Sequence, residues 1–267
     1  MKKQLISMVL MAAMTVSMLT GCKTAGGKKA EAPSSGNQAA AEAKTEDEEK
    51  ASEGGEDYSY HWKLATTESS DYYMTQLSQE FLDIVEEKTG GKVTGEVFAS
   101  GQLGGLVDAL EGLEMGNIDI VMDGVSSLSA VDDIFNVWCL PFLYDNKEHQ
   151  YRFWDNHFDE VSDMAAEQSG FRLVSVIDGM NRELASTVPV ESMADLKGLK
   201  IRVPNIPGYV RIWECLGAAP IPMSLSEVYT SIQTGVVQGQ ENDIALTLSL
   251  KFYEVAPYCV MTDHVAY

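Results

Sequence analysis

The stretch LKIRVP, residues 199–204, alternates apolar and charged residues in the pattern of a half-buried β-strand. Its three aliphatic residues share one face of the strand, and Lys200 and Arg202 share the opposite face. Pro204 cannot donate a hydrogen bond to a sheet, so the strand is predicted to end there. Arg202 is therefore predicted near the carboxyl end of a strand, where α/β folds bind their ligands.

Strand and helix patterns alternate on both sides of this stretch, from residue 60 to the end of the chain. This alternation predicts an α/β fold with mostly parallel sheets and helices on their faces. The predicted strands cover 60–65, 93–98, 118–122, 171–177, 199–203, 219–221 and 236–237. The predicted helices run from caps at 69–71 to Gly90, and then over 106–113, 147–168, 209–216, 225–234 and 244–250.

Apolar spacing and cysteine count predict part of the core. The first helix is expected to bury one apolar face, formed by Tyr73, Leu77, Phe81, Ile84 and Val85. The three cysteines after residue 22 are odd in number and lack CxxC spacing, so no disulfide framework is predicted. We expect each of them to be a small buried apolar residue, at Cys139, Cys215 and Cys259.

The first 57 residues are predicted to be export and tethering segments. Residues 1–21 combine two early lysines with an apolar run too short to span a bilayer, which is typical of a signal peptide. The run ends in Leu-Thr-Gly-Cys, which resembles a bacterial lipobox and predicts lipidation of Cys22. The alternative is a plain signal peptide with a chance cysteine. Residues 22–57 are small, charged and glycine-containing, which predicts a flexible acidic linker.

The charge and the motif content exclude several classes of function. A net charge of −21 argues against nucleic acid as a partner and requires that any anion site be a local cationic spot. The chain has no Gly-x-Ser-x-Gly elbow, no His-Glu-x-x-His motif and no phosphate loop; the glycine-rich stretch 101–105 lacks a following lysine. The four histidines are scattered, and surface or structural roles are predicted for them. We therefore predict no catalytic residue, no cofactor and no metal.

Arg202 is the residue whose position points most directly to a ligand. A guanidinium forms two parallel hydrogen bonds to a carboxylate, which a lysine cannot do. The alternative is a solvated arginine on an exposed strand face, and spacing alone favours that alternative.

Several motifs in register carry a resemblance to a known family. Residues 197–204 resemble the signature of the DctP-type substrate-binding proteins of TRAP transporters, and the similarity extends in order and spacing over residues 58–267. The further motifs lie at 101–104, 140–143, 226–229, 233–242 and 251–255. The resemblance implies that Arg202 pairs with the carboxylate of the ligand and that Arg182 is the second arginine of the site. It also places Asn242 and Asn205 in the cleft, with Asp123 as a further candidate.

Taken without the resemblance, some of these positions have structural explanations. Asn205 follows a proline and is predicted to be a turn residue, and Asn242 is predicted to be the N-cap of helix 244–250. The chain also departs from the family pattern, since Leu225 replaces a frequent aromatic residue and Gln238 replaces an aspartate. The carboxylate anchor is retained, but the identity of the acid is left open.

The family resemblance implies a periplasmic-binding-protein-like fold with two lobes and mixed sheets, here 58–179 and 180–267, joined by a hinge. The family's C-terminal return to the first lobe is expected to be missing. The implied function is capture of a small organic carboxylate and its delivery to the small and large subunits of a TRAP permease, without breaking a bond. The alternatives are a binding protein of similar shape serving an ABC transporter or a sensor kinase, a secreted enzyme, and a structural surface lipoprotein.

Overall fold

A computed structural model describes residues 58–266 of the chain. The predicted signal peptide (1–21), the predicted lipidation site Cys22 and the predicted linker (22–57) lie outside the described residues. Within residues 58–266, no helix is both long and apolar enough to cross a membrane.

The first half of the described chain builds a three-stranded parallel sheet. Strand β1 (Tyr60–Ala65) lies in the middle, between β2 (Val93–Phe98) and β3 (Ile120–Val121). Two helices connect these strands and a third follows them: α1 (Tyr73–Thr89), α2 (Leu106–Glu114) and α3 (Lys147–Ser169). Two 3₁₀ helices, Val125–Ala130 and Asp133–Cys139, lie between β3 and α3.

The second half builds a five-stranded mixed sheet in the order β6-β5-β7-β4-β8. Its strands are β4 (Arg182–Ser186), β5 (Lys200–Val203), β6 (Ala219–Pro222), β7 (Gly239–Asp243) and β8 (Tyr258–Val265). Strand β4 is antiparallel to both of its neighbours, whereas β5 is parallel to β6 and β7. The helices of this half are α4 (Pro207–Cys215), α5 (Val228–Gln233) and α6 (Ile244–Ser249), with 3₁₀ turns at Leu225–Glu227 and Phe252–Glu254.

The largest buried cluster packs α4 against the second sheet. Ile201 and Val203 of β5 are fully buried beneath Tyr209 and Trp213 of α4. Fully burying an aliphatic or aromatic side chain contributes about 1.5–3 kcal/mol, so this cluster holds β5 firmly. The predicted strand 199–203 is confirmed, and its core positions fix the carboxyl end from which the site is built.

The structure corrects two predicted strands. Residues 171–177 form no strand, because no neighbouring strand among residues 58–266 pairs with them; Val174 is 61% and Ile177 39% exposed. Val236 and Val237 are not a strand either, since the backbone N–H of each donates to the carbonyl of Ser231 and closes the end of α5. Val237 is fully buried in the core, whereas Val236 is 51% exposed.

Four residues predicted to be buried are exposed instead. Cys139 is buried, but Cys215 and Cys259 are exposed, so their apolar character is not used for packing. On α1, Leu77 is 41% and Ile84 43% exposed, although both lie on the face predicted to be buried. The buried residues of that helix are Met74, Thr75, Ser78 and Leu82. Its sequence has apolar residues on more than one side, and packing against β2 selects the side that contains Leu82.

Candidate functional site

A cavity lies where strand ends of the two sheets come together, and it holds about 500 Å³ of empty space, part of it open to solvent. All five residues predicted for the site line it, namely Asp123, Arg182, Arg202, Asn205 and Asn242. Residues that the sequence did not single out also line it, including Thr67, Glu68, Ser126, Tyr209, Met223 and Ser224. The first sheet contributes the acidic residues and the second sheet contributes both arginines.

Arg202 is buried, with 3% of its surface exposed, which overturns the alternative of a solvated arginine. Its Nε and Nη2 donate to the carbonyl of Met223 at 3.0 and 2.8 Å. A guanidinium has five N–H donors, and among residues 58–266 no other acceptor is bonded to this one. Burial lowers the pKa of Arg202 to about 10, so it remains a cation at neutral pH. The Nη1–Nη2 edge can therefore receive a carboxylate.

Arg182 also lines the cavity, but its guanidinium is already engaged by Glu241. Nε donates to Oε2 at 2.6 Å and Nη2 donates to Oε1 at 2.9 Å, a bidentate ion pair in which the two side chains are 4% and 0% exposed. The guanidinium lies 4.8 Å from the centroid of the Tyr209 ring. Arg182 and Arg202 thus have different surroundings, and Arg202 is the better placed to hold an external anion.

Glu241 is kept ionised by its neighbours. Burial alone would raise its pKa, but the charge of Arg182 and contacts with Arg182 and His264 outweigh burial and hold the pKa below its usual value. His264 Nε2 lies 3.3 Å from Glu241 Oε2, and the His264 ring packs edge-on against Trp213 at 5.2 Å. Glu241 lies within the family motif at 233–242, where no role was predicted for it. The predicted surface or structural role of the histidines is, for His264, a buried structural one.

The remaining predicted residues occupy the rim and the floor of the cavity. Asn205 is exposed and follows β5, as predicted for a turn residue. Asn242 lies within β7 and is not the N-cap of α6; the cap is Asp243, whose side chain accepts a hydrogen bond from the backbone N–H of Leu246 at 2.8 Å. Asp123 accepts hydrogen bonds from the backbone N–H of Gly124 and from the Ser127 hydroxyl.

Glu68 is a cavity residue that sequence reasoning missed. It is 4% exposed, and its Oε2 accepts hydrogen bonds from the hydroxyls of Thr66 at 2.9 Å and Thr67 at 3.0 Å. Burial, followed by the charge of Asp123, raises the pKa of Glu68 to about 8. The available signal was its position three residues after β1, at the carboxyl end of a parallel strand.

Comparison with known families and structures identifies the group to which this architecture belongs. The model of the bacterial extracellular solute-binding protein family 7 (DctP) matches residues 64–267. This chain belongs to that family. A solute-binding protein of Roseobacter denitrificans is 37% identical over 178 residues, which are 66% of this chain and 54% of that protein. The 2,3-diketo-L-gulonate-binding periplasmic protein YiaO of Escherichia coli is 31% identical over 188 residues, 70% of this chain and 57% of that protein.

Solved structures of TRAP periplasmic solute-binding proteins share the fold. The Roseobacter denitrificans protein with bound L-galactonate gives a TM-score of 0.74 at 32% identity, covering 78% of this chain and 70% of that one. A Sulfitobacter protein with bound β-D-galacturonate gives 0.73 at 31% identity, covering 77% and 69%. The predicted family and the predicted α/β fold with mixed sheets are confirmed. The chain spans a little over half the length of the curated relatives described above, 54% and 57%.

Proposed function

We propose that this protein is the solute-binding receptor of a TRAP-type transporter and captures a small organic carboxylate between lobes 58–179 and 180–267. Arg202 anchors the carboxylate, and Asn205, Asn242, Arg182 and Asp123 complete the pocket. The observation that carries the proposal is a buried cation that lines a cavity and whose guanidinium, among residues 58–266, donates only to the Met223 carbonyl. A buried charge needs an anionic partner, and a ligand carboxylate supplies it.

The proposed cycle is capture followed by delivery, with no bond made or broken. The lobes close over the bound acid by a hinge, the motion typical of periplasmic binding proteins, and a membrane permease with small and large subunits receives it. A receptor serving an ABC transporter or a sensor kinase is the alternative within the same fold. Incubation of the purified protein with each bound acid should return the acid unchanged, whereas turnover would favour a secreted enzyme.

The proposed location is the outer side of the cytoplasmic membrane, with export by residues 1–21 and anchoring through a lipidated Cys22. Several acyl chains on one cysteine would bind the bilayer firmly, since each buried CH₂ contributes about 0.8 kcal/mol. Cys22→Ser should release the protein from the membrane fraction of cells. Continued full association of that variant with the membrane would rule out the anchor.

Calorimetry on Arg202 variants tests the carboxylate anchor. Arg202→Ala should weaken the binding of galactonate or galacturonate by at least about 10–100-fold, because a charge-assisted hydrogen bond contributes about 1.5–3 kcal/mol. Arg202→Lys should restore only part of the affinity, because a lysine lacks the planar fork. The matched control is Arg211→Ala on α4, where the arginine side chain is 78% exposed; it should bind like the wild type. Unchanged affinity in a folded Arg202→Ala protein would refute the anchor.

A further inference from the structure

Part of the lining of the cavity is acidic. Glu68 follows β1 and Asp123 follows β3, and both line the same cavity as Arg202. The charges of the two acids act on Arg202, and Asp123 acts directly on Glu68. A ligand held by its carboxylate at Arg202 therefore shares the cavity with a pair of carboxyl groups.

The hydrogen bonds of Glu68 leave one of its oxygens for a ligand. Both threonine hydroxyls, from Thr66 and Thr67, donate to Oε2, and among residues 58–266 no donor is bonded to Oε1. The hydrogen bonds of Asp123 differ, because its Oδ1 accepts from the Ser127 hydroxyl and from the backbone N–H of Gly124. Only 4% of the surface of Glu68 is exposed, whereas Asp123 is partly buried.

The charged and titratable groups around Glu68 favour its neutral form. Asp123, which follows β3, and Asp243, which caps α6, both raise the pKa of Glu68 as like charges. The charge of Glu68 in turn raises the pKa of Tyr72, which precedes α1. Arg202 and Arg182 are cations that line the same cavity, and both also interact with Glu241. Desolvation first and Asp123 second raise the pKa of Glu68 to about 8, so Glu68 holds its proton at neutral pH.

We propose, building on the carboxylate capture argued above, that Glu68 and Asp123 together select an acid with one carboxylate and with hydroxyl groups at its other end. The neutral carboxyl of Glu68 donates to a ligand hydroxyl, and the carboxylate of Asp123 accepts from one. A second ligand carboxylate at this acidic part of the lining would place a like charge beside the pair in a largely desolvated site, and it offers no hydrogen to Asp123. The pair thus discriminates against dicarboxylates by repulsion as well as by lost hydrogen bonds.

Two sugar acids that differ only at the far end provide the direct test. Galactonate ends in CH₂OH and galactarate ends in a second carboxylate, while the carbon chain and the other hydroxyls are the same. We expect calorimetry at pH 7 to give at least about tenfold tighter binding of galactonate to the wild type, the size of effect that 1.4 kcal/mol produces. Asp123→Asn should narrow this ratio, because the amide removes the charge that repels the second carboxylate.

The pH dependence tests the proton on Glu68 separately. Above its pKa of about 8 Glu68 loses this proton, so galactonate affinity of the wild type should fall by up to about tenfold per pH unit between pH 8 and pH 9. Glu68→Gln is neutral at every pH and should bind galactonate with the same affinity from pH 6 to pH 9. Glu80→Gln, the same change at an exposed position of α1, should keep the pH dependence of the wild type. Arg202 remains charged throughout this range, so it does not produce the effect.

The outcomes separate this proposal from the proposed function. Equal affinity for galactonate and galactarate in the wild type, with a pH profile that Glu68→Gln does not alter, would overturn the acid-pair proposal while leaving carboxylate capture intact. Binding of neither acid, with Arg202→Ala indistinguishable from the wild type, would overturn both. A galactonate preference that Asp123→Asn narrows, together with a flat pH profile for Glu68→Gln, would support the proposal.

Discussion

The two sheets of this protein reach the same cavity in different ways. The strands of the first sheet are partly exposed, and its acids stand on the segments that follow β1 and β3. In the second sheet, β4 and β7 are buried at every residue, although their sequences are RELAS and GQEND. The arginine of β4 and the glutamate of β7 face each other as an ion pair inside the sheet. The second sheet therefore contains a buried polar pair of strands, β4 and β7, beside its apolar strand β5, and no strand of the first sheet is buried along its whole length.

The difference shows what buried polar residues require. Each charged group of β4 and β7 has a partner: Arg182 has Glu241, and Glu183 accepts from the backbone N–H of Asp263 at 2.9 Å. Asp243 accepts from the Tyr72 hydroxyl at 2.8 Å. Burial of such groups is tolerated only while the partners remain, since an unpaired buried charge is strongly unfavourable. Glu68 of the first half has hydroxyl donors but no cation bonded to it within residues 58–266, and it responds by holding its proton.

The largest contrast is expected from removing the charge of Glu241. Glu241→Gln leaves Arg182 buried without its carboxylate, which should lower the free energy of unfolding by about 3–5 kcal/mol. The matched control is Asp163→Asn, which breaks an ion pair with Arg172 whose side chains are 66% and 63% exposed; it should leave stability unchanged within error. Urea titration followed by circular dichroism measures both. An equally small effect of the two substitutions would show that the second sheet does not depend on its buried pair.

A steric test compares one glycine in each sheet. An added Cβ at Gly239 of β7 would lie 2.6 Å from the carbonyl oxygen of Ala185, which is backbone and cannot move aside. At Gly95 of β2 the nearest atom, at 2.7 Å, is the end of the Leu82 side chain, which can rotate. Gly239→Ala should lower the free energy of unfolding by about 1–3 kcal/mol, and Gly95→Ala should lower it less. Urea melts that rank the two in the opposite order would contradict this account of β7.

These contrasts also explain which parts of the structure the sequence predicted. Strands 60–65, 93–98 and 199–203 carry apolar residues in a pattern that sheet burial requires, and all three are present. Strands β4 and β7 were missed because their residues are polar, and hydrophobic periodicity has no signal for a polar strand that is buried through ion pairs. Strand 171–177 was predicted from apolar content alone, without a partner to pair with.

The site residues also differ in how far the sequence could predict them. Arg182, Arg202, Asn205, Asn242 and Asp123 were placed by resemblance to a family, and all five line one cavity. Strand alternation predicted the position of Arg202 near a strand end, but it could not predict its burial, which depends on neighbours distant in sequence. Glu68 was missed for the same reason, because its burial and its partners come from the tertiary structure.

The dependence of the free energy of unfolding on pH tests the two buried glutamates, Glu68 and Glu241, without breaking an ion pair. The pKa of Glu68 is raised from 4.5 to about 8, so stability that is present below pH 4.5 is lost as the pH rises toward 8. The wild type should lose up to about 1.4 kcal/mol per pH unit over this range relative to Glu68→Gln. Glu241, with a lowered pKa, contributes stability above the pKa of the unfolded chain and loses it only in acid. Parallel profiles for the wild type and Glu68→Gln would contradict the raised pKa.

The smallest expected effect concerns α1, which packs against the first sheet and for which hydrophobic periodicity predicted the wrong buried face. Ile84 was predicted to be in the core but is 43% exposed on α1, whereas Leu82 is 2% exposed and touches β2. Ile84→Gln should change the free energy of unfolding by less than about 0.5 kcal/mol, the usual range for surface substitutions. Leu82→Ala on the same helix should lower it by about 2–5 kcal/mol through the cavity it creates. If thermal and urea melts show that Ile84→Gln destabilises the protein as much as Leu82→Ala does, then the predicted face of α1 is covered after all.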